Sequence, residues 1–144
     1  LFVGATYILV PSPTIAEMRV LQFELLLREL GAQPVRLTAS EHDEVMAMIS
    51  HLPQLLSTAM VATIAGHGSK HDLRQFAGNG FRDMSRLGLS SWSVWQDICT
   101  TNRDNIAVAL DELSAILQQL REALAEEQYQ RIGEFFAAAK QSLK

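Results

Sequence analysis

The chain has 144 residues, 48% hydrophobic and 19% charged, which is enough for one domain with a real core. Its net charge of -4 argues against a nucleic-acid partner, which selects basic surfaces, and Cys99, the only cysteine, excludes an internal disulfide and fits a reducing, cytoplasmic setting. No uninterrupted apolar run approaches a membrane span, and the apolar opening (residues 1–10) has no basic flank and stops at Pro11, so neither a membrane partner nor a signal peptide is expected.

Residues 5–10 are a short apolar run rich in β-formers, with Tyr7, Ile8, Leu9 and Val10, stopped by Pro11-Ser12-Pro13. Apolar on both faces, the run predicts a strand covered on both sides, as in a parallel sheet. Thr14 and Glu17 have the spacing of a capping box. They predict a helix over 15–30 with Val20, Leu21, Leu25 and Leu27 buried. Gly31 is a C-terminal stop and Pro34 prevents continuation. Residues 35–38 read as a second strand. Strand, helix, strand is a βαβ crossover, which makes the strands parallel. Two short strands do not form an independent sheet. The expectation is therefore that further strands lie upstream of Leu1, the alternative being a two-stranded appendage packed on helices.

Ser40 to Asp43 gives the next helix start, and a helical pattern covers 41–65. Met46, Ile49, Pro53, Leu56 and Met60 share one face. Pro53 lacks a backbone donor and clashes with the preceding turn, which predicts a kink or local unwinding. Residues 66–80 read as a loop region, and from Trp92 the pattern is helical again. Ile106, Leu110, Leu113, Leu117, Leu120 and Leu124 form a heptad seam that packs along another helix, within the chain or across a dimer. A last helix over 128–143 carries Ile132, Phe135 and Phe136.

Candidate chemistry falls in two places. Asp43, Ala47, Ser50, Gln54 and Ser57 lie on one stripe, beside His51 and the kink at Pro53. A kink frees a carbonyl and opens space for a ligand; the same stripe also reads as a solvent-facing polar surface. The second place is the glycine-punctuated segment from Gly78 to Arg86, read as a loop. Glycine lets backbone approach a ligand, and the forks of Arg82 and Arg86 fit a carboxylate or phosphate. Asp83 can hold one guanidinium in place; both arginines also read as solvated surface groups. Trp95, Ile98 and Cys99 lie at helix-core spacing, with Cys99 inert. His67, His71 and Asp72 resemble metal ligands without a third strong ligand cluster, so no metal is expected.

His42-Asp43, Ser50-His51-Leu52-Pro53, Gly80-Phe81-Arg82-Asp83-Met84-Ser85-Arg86, Trp95-Gln96-Asp97-Ile98 and Asn102-Arg103 follow one another in an order and spacing that resembles the C-terminal half of the prephenate/arogenate dehydrogenases of tyrosine biosynthesis. Residues 2–11 resemble the last part of that family's nucleotide-binding domain. The resemblance implies a mainly α fold. A helical domain, like the C-terminal domain of 6-phosphogluconate dehydrogenase, covers 40–144 and serves substrate binding and dimerisation. A βαβ remnant of a Rossmann-type nucleotide-binding domain precedes it over 1–39.

The implied reaction is the NAD- or NADP-dependent oxidative decarboxylation of prephenate to 4-hydroxyphenylpyruvate. A hydride leaves the ring carbon bearing the hydroxyl, carbon dioxide departs and the ring becomes aromatic. The family's catalytic histidine and glycine-rich dinucleotide fingerprint match positions upstream of Leu1. No catalytic residue is therefore expected in this chain, which alone should be inactive, and NAD or NADP should be held mainly by the upstream domain. The implied partners are a carboxylate substrate, prephenate or arogenate, and a second copy in a homodimer.

By resemblance, Arg86 grips a substrate carboxylate, Ser50 and His51 supply the kinked-helix polar group, and Gly80 and Trp95 lie at the substrate. Asp83, with Arg82, orders the loop. Gln54 stands where many members carry the second histidine of Ser-His-x-x-His; it hydrogen-bonds without charge, which bears on the choice between prephenate and arogenate. Asn79 replaces a frequent glycine. Two rival readings are a non-catalytic helical dimerisation or ligand-sensing module that keeps the clamp, and another dehydrogenase of the same two-domain plan acting on a different carboxylate.

Overall fold

The computed structural model describes residues 2–143; Leu1 and Lys144 lie outside it. The predicted crossover is present. Strands β1 (Thr6–Leu9) and β2 (Gln33–Arg36) pair in parallel, Thr6 opposite Gln33 and Leu9 opposite Arg36, with α1 (Glu17–Glu29) between them. Helix α1 begins later than predicted. Ser12 and Thr14 bond each other's hydroxyls at 2.9 Å inside a turn closed by Ile15 N–H on the Ser12 carbonyl, so Thr14 is not free to cap. The helix enters from Ala16 without a side-chain cap.

Of the four predicted core positions of α1, Val20 and Leu27 are buried, whereas Leu21 and Leu25 are exposed. A seven-residue separation keeps Val20 and Leu27 on one line over the two strands, and the described residues put nothing over the rest of the helix. Tyr7, Val10 and Val35 are likewise open, so the predicted cover on both sheet faces is not supplied by this chain. Gly31 ends α1 at φ +84°, and a Cβ there would also stand 3.1 Å from Val3 Cγ2. Arg36 on β2 reaches back to α1, bonding Glu17 at 2.7 Å and also Glu24. Its hydrogen bond holds the Glu24 carboxyl below the usual carboxylate range.

Helix α2 (Ala39–Met46) is capped two residues before the Ser40 that the sequence signalled. Thr38 Oγ1 accepts from Glu41 N–H at 3.2 Å, and Glu41 Oε2 accepts from Thr38 N–H at 2.7 Å, a complete capping box. Helix α2 runs on through a π-helical turn (Ala47–His51) into α3 (Leu52–Ala65). Leu52 N–H bonds to the Ala47 carbonyl, five residues back. The wide turn therefore sits immediately before Pro53, where the missing donor was predicted to unwind the helix. By length and composition, the continuous helical stretch 39–65 is able to cross a membrane, contrary to the expectation that no run has that reach. Three of its polar residues, His51, Gln54 and Ser57, are nevertheless buried inside the domain.

Beyond α3 come a 3-10 turn (Leu73–Phe76), α4 (Asn79–Ser85), a second 3-10 turn (Leu87–Leu89), α5 (Trp92–Thr101), α6 (Arg103–Ala125) and α7 (Tyr129–Ser142). The glycine-punctuated segment is thus a short helix and not the loop that was predicted. Gly78 serves as an extended N-cap, and 79–85 contain no proline or β-branched residue to oppose helix closure. The centre of the helical domain is Ala47, Ile106 and Ala109, with Leu52, Leu55 and Ile98 against them; small residues bring α6 close to the π turn.

The leucine seam is packed within the chain only in part: Ile106 is buried and Leu113 and Leu120 are half-buried. On α6 the buried residues are Ile106, Ala109 and Ala123, while Leu110, Leu117 and Leu124 are exposed. Phe136 on α7 is 74% exposed.

Because the Thr38 hydroxyl accepts from the Glu41 N–H at the start of this helix, Thr38→Ala is expected to cost about 1 kcal/mol. Thermal or urea unfolding of the two proteins checks it; equal stability removes the capping box as the start signal.

Candidate functional site

Helix α3 is amphipathic in an inverted sense. Ser57, Gln54 and His51 are buried at 0%, 6% and 9% exposure, whereas Ile49 is 67% exposed. The polar stripe, for which a solvent-facing reading was also open, therefore points inward at Ala47, Gln54 and Ser57, whereas Asp43 is half-exposed and Ser50 stays exposed on the π turn. No buried side-chain nitrogen or oxygen among the described residues lacks a hydrogen-bond partner.

The partners of the stripe are specific. Ser57 Oγ donates to the Met84 carbonyl at 2.6 Å. Gln54 Nε2 donates to the Leu87 carbonyl at 2.7 Å, and Gln54 Oε1 accepts from Ser90 Oγ at 3.1 Å. Both ends of the Gln54 amide are engaged within the chain, which ties residues 87–90 to α3. Gly88 permits the approach: a Cβ there would sit 3.4 Å from both Ser57 Oγ and Val61 Cγ2. Neither Gly88 nor Ser90 was singled out from sequence, since no periodicity marks them.

His51 belongs to a second group. Asn102, buried at the α5–α6 junction, donates through Nδ2 to the Asp43 carbonyl at 2.7 Å and lies 3.3 Å from His51 Nδ1. Asn105 Nδ2 donates to Asn102 Oδ1 at 2.8 Å, fixing that amide. The Trp95 ring meets the imidazole edge to face at 5.8 Å. Burial pushes the His51 pKa below the ordinary 6.5; Asp43 opposes the shift and His42 adds to it. His42 Nδ1 is itself 2.9 Å from Asp43 Oδ1.

Arg82 and Arg86 lie four residues apart and share one side of α4 and its continuation. With Val61, Phe81, Ser85, Gly88 and Leu89 they line a groove of about 370 Å³. Both are exposed, and among the described residues neither has a carboxylate within ion-pair distance. The expected hold of Asp83 on a guanidinium is not made among the described residues: Asp83 is exposed and pairs with neither arginine. Nothing lies within 4 Å of a Cβ built on Gly80, so no close approach inside the chain requires glycine there.

A cavity of about 480 Å³ adjoins this groove across Val61 and Phe81, with His67, His71, Asp72 and Arg74 on its rim. Asp72 is occupied, accepting from Arg74 N–H and Nε. Among the described residues no three His, Cys, Asp or Glu side chains converge as metal ligands. A dinucleotide cradle does not fit the βα turn after β1 either. That turn is Pro11-Ser12-Pro13, and α1 opens with Glu17, whose charge repels a pyrophosphate at a helix N-terminus.

A family model described as "Prephenate dehydrogenase, dimerization domain" matches residues 38–138. The prephenate dehydrogenase of Bacillus subtilis (strain 168) is 32% identical over 146 residues, covering 97% of this chain and 38% of that protein. The cyclohexadienyl dehydrogenase of Zymomonas mobilis is 28% identical, over 79% of this chain and 40% of that protein. Among solved structures, Synechocystis arogenate dehydrogenase aligns with TM-score 0.88 at 26% identity, over 99% of this chain and 52% of that one. Prephenate dehydrogenase from A. aeolicus, in complex with hydroxyphenyl propionate and NAD+, gives 0.87 at 26% identity, over 96% and 49%. The chain thus spans about two-fifths to half the length of these relatives.

The lowered His51 pKa has a consequence for stability. Between its folded pKa and the unfolded value near 6.5, the unfolded chain binds more protons, so stability rises with pH through that window. It is fully present above 6.5 and falls on acidification. Unfolding midpoints measured from pH 8 to pH 5 should fall for the natural chain and fall less for His51→Gln; parallel curves would exclude His51 as the source.

Proposed function

Because the chain belongs to the prephenate dehydrogenase dimerization-domain family, we propose that it is the helical, substrate-holding part of a prephenate dehydrogenase. The reaction is the oxidative decarboxylation of prephenate to 4-hydroxyphenylpyruvate in tyrosine biosynthesis, in the cytoplasm. The observation that carries the reading is the groove of Arg82 and Arg86: two guanidinium groups without a carboxylate partner among the described residues, beside the apolar wall of Phe81, Val61 and Leu89. An apolar wall with a cationic rim suits a ring that bears a carboxylate.

Arg86 grips that carboxylate, and Arg82 and Asp83 tune the local charge. Ser50, exposed on the π turn, and Trp95 contact the ring, with His51 fixing the turn beneath them. The open space around Gly80 leaves its backbone accessible. NAD or NADP, when bound, supplies the hydride acceptor, and its cradle is formed by residues other than those described. The task of this chain is to bind and orient the substrate.

A second reading takes arogenate as substrate. It is favoured by the likeness to Synechocystis arogenate dehydrogenase. The exposed apolar residues of α6 and α7, with Leu117, Leu124, Ile116 and Phe136, support a homodimer as the partner state.

Two measurements test these statements. In the protein expressed at its full reading-frame length, steady-state kinetics on prephenate and arogenate identify the substrate. Arg86→Ala should lose a charge-assisted contact of about 1.5–3 kcal/mol, roughly tenfold to over a hundredfold in affinity. Arg86→Lys should restore little, because lysine lacks the planar fork. Unchanged kinetics in both variants rule the clamp out. Sedimentation at micromolar concentration should give a dimer, and Leu117→Glu should shift it toward monomer; a monomer throughout overturns the dimer.

A further inference from the structure

We propose that Gln54, Ser57 and Ser90 are positioning residues that hold Arg86 in its binding register, an inference that rests on the carboxylate role given to Arg86 above. Arg86 lies where α4 passes into the second 3-10 turn, between Ser85 and Leu87. Carbonyls at a helix C-terminus have no partner within the helix. Here α3 reaches a carbonyl on either side of Arg86: Met84 accepts from Ser57 Oγ at 2.6 Å, and Leu87, which also accepts from Ser90 N–H at 3.1 Å, accepts from Gln54 Nε2 at 2.7 Å.

The spacing makes these two bonds a register. Gln54 and Ser57 are three residues apart on one face of α3, and Met84 and Leu87 are three apart on the segment they hold. The order runs in opposite senses, 57 to 84 and 54 to 87, so a slip of one residue breaks both bonds at once. Ser90 closes the arrangement by donating to Gln54 Oε1, which fixes which end of the amide faces Leu87. Gly88 allows the turn to lie against Ser57 and Val61. An arginine has a long flexible side chain, and its aim depends on a fixed backbone beneath it. These side chains give Arg86 that fixed base while touching no ligand themselves.

The experiment is a double-mutant cycle on the full-length protein, reading the Kd of 3-(4-hydroxyphenyl)propionate and of its uncharged amide. Gln54→Met keeps the volume and removes both hydrogen bonds. It should weaken carboxylate binding roughly tenfold, leave amide binding unchanged, and have no further effect in an Arg86→Ala background. Ser90→Ala, at an exposed position, should act in the same direction and more weakly, and carries the test if Gln54→Met does not fold. Equal losses for carboxylate and amide, or losses that add fully to Arg86→Ala, overturn the inference, as does wild-type affinity in the variant that folds. If Arg86→Ala itself leaves carboxylate affinity intact, the clamp reading fails. If Arg86→Ala is impaired and the Gln54 and Ser90 variants are not, only the positioning role fails.

Discussion

Everything in the helical domain turns on which side of α3 faces inward. Three neutral polar side chains, His51, Gln54 and Ser57, occupy positions that an ordinary amphipathic helix gives to leucine. A buried polar group without a partner costs about 1–3 kcal/mol, so each of the three has to find its hydrogen bond or the helix does not seat. All three do, on backbone carbonyls of 84–87 and on the Asn102 amide. Such bonds discriminate between registers more sharply than methyl packing does, because a carbonyl displaced by one residue is lost outright.

The inverted stripe has a cost on the other face. Val45, Met48 and Ile49 are left open, as are Leu117 and Leu124 on α6 and much of α1. The side chains that are buried are small, with Ala47, Ala109 and Ala123 among them. Small residues let helix axes approach but bring little apolar area out of water. A dimerization domain is a coherent setting for this distribution. The large apolar groups stay available for a surface between chains, and the interior is held by polar ties and close backbone contact.

Much of this was legible in the sequence, and the rest was not for definable reasons. A continuous apolar run and breaker residues predicted the βαβ unit, because proline and glycine bound each element there. Pro53 predicted the disturbance in the long helix. Periodicity gave the polar stripe of Asp43, Ser50, Gln54 and Ser57 but not its direction, since a stripe of this kind is equally regular facing water or facing a neighbour. The helix at 79–85 was hidden by Gly78 and Gly80, which signal a turn unless one knows that the first is an N-cap. Two cap signals, at Thr14 and Ser40, failed through competition: Ser12 took Thr14, and Thr38 paired with Glu41 first. Gly88, Ser90 and Asn102 carry no local pattern; only contacts with residues distant in the chain, Gly88 with Ser57, Ser90 with Gln54 and Asn102 with Asp43, give them meaning.

The π turn reconciles two packing demands on one continuous helix. A single inserted residue shifts the phase of everything after it by about 100°. Before the turn, the α2 half meets the start of α6, where Asn102 reads the Asp43 carbonyl. After it, the α3 half turns Gln54 and Ser57 toward the end of α4. An unbroken α-helix cannot satisfy both partners with these residues, because the two inward faces would be out of phase. Ser50 is the residue that the phase change leaves outside while Ala47, His51 and Gln54 on either side go in. Its hydroxyl is exposed because of that geometry, next to a buried His51 that Trp95 and Asn102 contact. The irregularity at the turn before Pro53 is therefore what leaves the Ser50 hydroxyl at the surface between the buried Ala47 and His51.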